Sequence, residues 1–167
     1  MIANARMYAI DATTTEDSQS GWHAPRLRLA PYAKDRRGQL FAEAVGPLVT
    51  PRNVALAIAE RRADVGPVDS YAHDLLRRHE SALASKLRVI ARTPARPIPP
   101  LVGAPGMSAS DAKRVRDALF AIGDARELAS LRDSLLLSGF APVAAEAYDV
   151  LAADALRADA LGYLRIA

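Results

Sequence analysis

Cysteine is absent from this 167-residue chain. Disulfides, thiolate nucleophiles and cysteine-bound zinc are therefore excluded, and the redox compartment leaves no trace in the composition. Aromatic residues are scarce, at 5%, although half of the chain is hydrophobic. The core has to be assembled mainly from alanine, valine, leucine and isoleucine. No apolar run approaches the roughly 20 residues that a membrane-spanning helix requires, and no membrane insertion is expected. The opening residues MIANARMYAID lack a basic stretch followed by a long apolar one, so they do not read as a signal peptide. As written, the chain is expected in the cytoplasm, and in the periplasm if the true start lies upstream.

Charge of one sign is also in short supply. Lys and Arg number 22 against 19 Asp and Glu, a net charge of +3. The two signs are interspersed, and no basic cluster interleaved with aromatics marks a nucleic-acid surface. A nucleic-acid partner is not expected. The three histidines, His23, His73 and His79, do not fall at metal-ligand spacing, so neither a metal nor a cofactor is expected. Asp17, Ser20 and His23 are too close together, and too far from a nucleophile-elbow context, to form a hydrolase triad. Gly103 and Gly106 do not make a phosphate-binding loop.

What is present is a series of helix starts. Thr15 to Ala33 reads TEDSQSGWHAPRLRLAPYA, and a helix is expected after Gly21. Pro25 is tolerable in its first turn, whereas Pro31 should end or kink it near Ala30. Thr50-Pro51 pairs a hydroxyl cap with proline at the first helical position, and Asp69-Ser70 opens a helix running to about Arg78. Strands are expected over 2–10, over 40–49 with an interruption at Gly46-Pro47, and over 63–68, 87–93 and 97–102. After Gly106 the chain turns helical, and Ser108-x-x-Asp111 resembles a capping box. Alternating strands and helices with a helical tail point to an α/β fold with a mostly parallel sheet. Trp22 is expected in the core rather than as a lid.

Each of the first three helix starts follows an expected strand and carries groups that suit an anion. Ser18, Ser20 and Gly21 offer two hydroxyls and a close backbone approach. Thr50 and Arg52 offer a hydroxyl and a guanidinium. Asp69, Ser70 and Tyr71 add a hydroxyl, a phenol and a carboxylate. A helix N-terminus already favours an oxyanion, and in a parallel α/β sheet such starts gather outside the carboxyl ends of the strands. Capping alone accounts for each start taken singly; their recurrence, with Gly21 and Arg52, favours a ligand site.

The runs EDSQSGWHAPR, VGPLVTPRNVALAIAERRADVGPVDSYAHDLLRRHE and LRVIARTPARPIPPLV, with MIANARMY at the start, resemble the phosphate/phosphonate-type substrate-binding proteins of ABC transporters, in the type 2 periplasmic-binding-protein superfamily. The resemblance implies two α/β lobes closing on a small oxyanion: phosphate, a phosphonate or a phosphorylated metabolite. It implies that Ser18, Ser20 and Gly21 grip the anion, that Thr50 lies at a second gripping helix start, and that Asp69 meets a ligand amino group. Tyr8 matches at the end of the first strand. One departure stands out. Family members carry a long segment between the first strand and the Ser-x-Ser-Gly motif, and here Ala12-Thr13-Thr14 bridges that interval directly. Residues 13–95 would then form one lobe, and 1–12 with 96–167 the remnant of the other. The function implied is non-enzymatic solute binding, with an ABC permease as partner and a homodimer formed through the incomplete lobe. The alternatives are a cofactor-biosynthesis enzyme on the same fold, with Asp69 and His73 as the local acid/base candidates, or a remnant interaction protein without ligand.

Overall fold

The computed structural model describes residues 10–166. Tyr8 and nearly all of the strand expected over 2–10 lie outside the described residues. The chain divides into two compact units, one running to Arg96 and resuming at Asp149, the other Pro97–Tyr148.

In the first unit, strand β1 (Ile10–Ala12) lies parallel to β2 (Glu43–Val45), with Asp11 opposite Ala44 and Ala12 opposite Val45. Val65 joins them through a single bridge to Asp11. Between the strands, a π-helical turn at Gln19–His23 leads straight into helix α1 (Ala24–Ala33). Pro25 sits in its first turn, where no amide hydrogen is needed. Pro31 does not end the helix at Ala30 as expected: it falls in the last turn, and α1 continues to Ala33.

Helix α2 (Pro51–Ala59) starts where expected, with the Thr50 side chain accepting from Asn53 N at 3.2 Å. Helix α3 (Ser70–His79) is capped by Asp69, which accepts from Ala72 N at 2.8 Å. A single turn, α4 (Ser81–Ala84), follows. These helices bury small faces: Val54 and Ala57 pack with Ala12 and Ala63, while Ala55 packs with Leu76 and Ala84. The aromatic-poor composition thus yields alanine-rich contacts in which each large side chain carries about 1.5–3 kcal/mol on burial.

The strands expected over 40–49 and 63–68 shrink to Glu43–Val45 and the Val65 bridge. Residues 87–93 and 97–102 form no strand at all. A strand exists only through a neighbour's hydrogen bonds, and the sheet among the described residues is two strands wide. Pro94, Pro97, Pro99 and Pro100 also withdraw donors from this stretch. Val89, Ile90, Ile98, Leu101 and Val102 are left exposed.

The second unit holds α5 (Ala109–Ala121) and α6 (Ala129–Leu135). Ser108 caps α5 as the sequence suggests, accepting from Asp111 N at 3.1 Å and donating to Asp111 Oδ2 at 2.7 Å. Arg132 closes the intervening turn by donating to the carbonyls of Ile122 and Ala125, each at 2.6 Å. Among the described residues, none from Pro97 to Tyr148 is buried. The chain then returns to the first unit as α7 (Asp149–Ala160), which packs on α1. The tail beyond it contributes Tyr163 and Ile166 to a cluster with Trp22, Ala30, Ala33, Leu40 and Phe41. Trp22 is thus a core residue. No helix among the described residues is long and apolar enough to cross a membrane.

Candidate functional site

The carboxyl ends of β1 and β2 are stitched together by one residue. Thr13 N donates to Val45 O at 2.9 Å, and Leu48 N donates to Thr13 O at 3.0 Å. Thr13 and Thr14 are both buried, which is unusual for hydroxyl-bearing residues at a strand end. Two glycines make that burial possible. A Cβ on Gly21 would collide with the Thr14 side chain, and one on Gly46 would collide with Thr13 Oγ1.

The Ser-Gln-Ser-Gly run therefore divides into separate tasks. Ser18 is the cap: its Oγ accepts from Gly21 N at 3.0 Å, and its carbonyl accepts from Trp22 N and His23 N. Gly21 is the steric allowance for Thr14. Ser20 remains exposed beside them. Thr50 and Asp69 cap their own helices. Arg52 is engaged elsewhere, with Nε on Glu80 Oε1 at 2.8 Å and Nη2 on Oε2 at 2.7 Å. The paired hydrogen bonds hold the Glu80 carboxyl below its ordinary range and raise the guanidinium above its own. Ser70 and Tyr71 lie exposed in the first turn of α3.

An open cleft of about 420 Å³ lies at these strand ends, lined by residues 13–16, Trp22, Ala44, Gly46, Pro47, Arg165 and Ile166. Ser18 and Gly21 sit directly behind its threonines; Thr50, Arg52, Asp69, Ser70 and Tyr71 do not line it. Thr14 Oγ1 is buried without a hydrogen-bond partner among the described residues. Such a hydroxyl costs about 1–3 kcal/mol unless something satisfies it. Asp11 is buried on β1, and burial pushes its carboxyl up to about 7. His23, behind the cleft, is pushed down by burial and then by the charge of Arg26. Among the described residues, no group of three or more His, Asp or Glu side chains is placed to hold a metal ion.

Among the described residues, what the cleft offers is threonines, one guanidinium, Arg165, and one carboxylate, Glu16. That equipment binds polar groups by hydrogen bonding and charge. His73, the histidine considered as an acid/base, is on α3 beside Asp74, 4.0 Å away, and does not line this cleft. The sequence alone did not single out Thr13, Thr14 or Arg165. Two adjacent threonines at a strand end were the available signal for the first two. Arg165, in a tail far along the chain, offered none.

The described residues are rich in helix around a small parallel sheet, with helix starts and a polar cleft at the carboxyl ends of its strands. The model of the family described as ABC transporter, phosphonate, periplasmic substrate-binding protein matches residues 12–148. The chain belongs to this family. Among solved structures it is similar to XAC2383 from Xanthomonas citri bound to chloride ion, at 17% identity and a TM-score of 0.59. That match covers 96% of this chain and 63% of the other, so the chain spans less than two thirds of that protein's length. The likeness is one of fold. Comparison with curated proteins gives no match.

Proposed function

We propose that the chain binds a small oxyanion (phosphate, a phosphonate or a phosphorylated metabolite) in the strand-end cleft, as the solute-binding component of an ABC transporter. The observation that carries this reading is the polar cleft at the carboxyl ends of the parallel strands, where the Thr13–Thr15 run and the exposed Arg165 share one lining. Family membership supports solute binding over catalysis, and the chloride in the X. citri protein supports an anion. Thr13 and Thr14 form the floor, with Ser18 and Gly21 fixing the turn behind them. Arg52, paired with Glu80, and the caps Thr50 and Asp69 have no place in this cleft.

A thermal-shift panel of phosphate, methylphosphonate, aminoethylphosphonate and sulfate tests the reading. At a concentration of about 100 times Kd, a ligand that binds only the native state adds about 2.7 kcal/mol of stability. That appears as a melting shift of several degrees for at least one phosphorus oxyanion. A flat response across the panel overturns the reading.

A further inference from the structure

From the way the tail is anchored, we infer that the C-terminal segment 161–166 is a functional wall of the cleft, with Arg165 the cation that meets the bound anion and Arg26 its positioning residue. This rests on the anion-binding reading above.

The family match ends at residue 148, so α7 and the tail are features of this chain beyond the matched segment. They are held by an unusual buried cation. The Arg26 side chain is only 7% exposed and forms an ion pair from Nη2 to Asp159 Oδ1 at 2.8 Å. It also donates from Nη1 to Leu164 O at 2.9 Å and from Nη2 to Ala155 O at 3.2 Å. A buried guanidinium is tolerated only when its charge is matched, and here α7 and the tail supply partners to both terminal nitrogens, while Nε is buried without a partner among the described residues. Tyr163 and Ile166 are sunk in the Trp22 cluster.

Arg165 therefore stands between two anchors. The carbonyl just before it is tied to Arg26, and the side chain just after it is in the core. Its own side chain is exposed, lines the cleft and makes no ion pair among the described residues. Among the described residues, no other arginine or lysine lines that cleft. On a cleft it shares with Thr13, Thr14 and Thr15, a guanidinium supplies the forked donors that suit a phosphorus oxyanion. Glu16, on the same cleft, opposes a second negative charge and so favours a monoanion.

Calorimetry with methylphosphonate and inorganic phosphate tests this on the full chain. Arg165→Gln should weaken binding about ten- to a hundred-fold, the range for losing a charged hydrogen bond. Its melting temperature should be unchanged, because the side chain is exposed. The salt dependence of the remaining affinity should flatten, and Arg165→Lys should recover part of the loss. Arg26→Lys, or the milder Asp159→Asn if the first does not fold, should weaken binding in the native background but not in an Arg165→Gln background. Wild-type binding that is untouched by Arg165→Gln overturns the inference and leaves the anion site standing. Equal losses in both backgrounds overturn the positioning role of Arg26. A wild-type chain that binds neither probe overturns both readings.

Discussion

Asp11 gives the sharpest test of how the first unit is put together. It sits in the middle of β1, 3% exposed, with Oδ2 lacking a hydrogen-bond partner among the described residues. Burial alone raises its carboxyl from an ordinary 3.8 to about 7. The native state therefore holds a proton that the unfolded chain releases between those two values. The native state binds more protons there, so stability must fall as pH rises from about 4 to about 7, and level off above. At 1.36 kcal/mol per pH unit, that gap amounts to about 4 kcal/mol, a large share of a typical domain's roughly 5–15 kcal/mol. Asp11→Asn keeps the shape and cannot ionise. Urea unfolding of both proteins at pH 4, 5, 6, 7 and 8 isolates the effect, because contributions from other groups cancel in the difference. The variant should gain on the native protein by about 4 kcal/mol between pH 4 and pH 8. Parallel stability curves across that range would refute a buried, unpartnered carboxyl and with it the packing around β1.

Two further outcomes follow from packing. Gly21→Ala drives a methyl into Thr14 and should cost about 1–3 kcal/mol by overpacking; Thr14→Ala in the same chain should restore part of it, as read by chemical denaturation. The second unit leaves Val115, Leu131, Leu136 and Phe140 exposed, and each 100 Å² of such surface forfeits about 2.5 kcal/mol in water. The chain should therefore self-associate through these side chains in light scattering, and Val115→Glu with Leu131→Glu should shift it toward monomer. A wild-type monomer that melts sharply at high temperature would refute that outcome.

The elements that were legible in the sequence are those whose cause is local. Thr50, Asp69 and Ser108 each satisfy their own helix's amides within three residues, so the three helix starts could be placed from composition and spacing alone. Strands depend on partners elsewhere, and there local pattern misled. LRVIART and PIPPLV carry the β-branched and apolar residues of strands, yet no neighbouring strand accepts them among the described residues.

The sequence placed a candidate site at the carboxyl ends of the strands, and the structure has a polar cleft there that the Ser-x-Ser-Gly run adjoins. Its residues, however, serve the scaffold: Ser18 caps, and Gly21 is small because Thr14 needs the space. The polar groups that face the cleft come from positions with no local signature. Thr14 is buried on the cleft lining because Gly21 leaves room for it, and Arg165 lies on the same lining with the carbonyl of Leu164, just before it, tied down by Arg26, far away in sequence. A motif marks where a backbone can approach a ligand. Which side chains line the cleft beside it is decided by long-range packing, and here the tail outside the family-matched segment brings Arg165 to that lining.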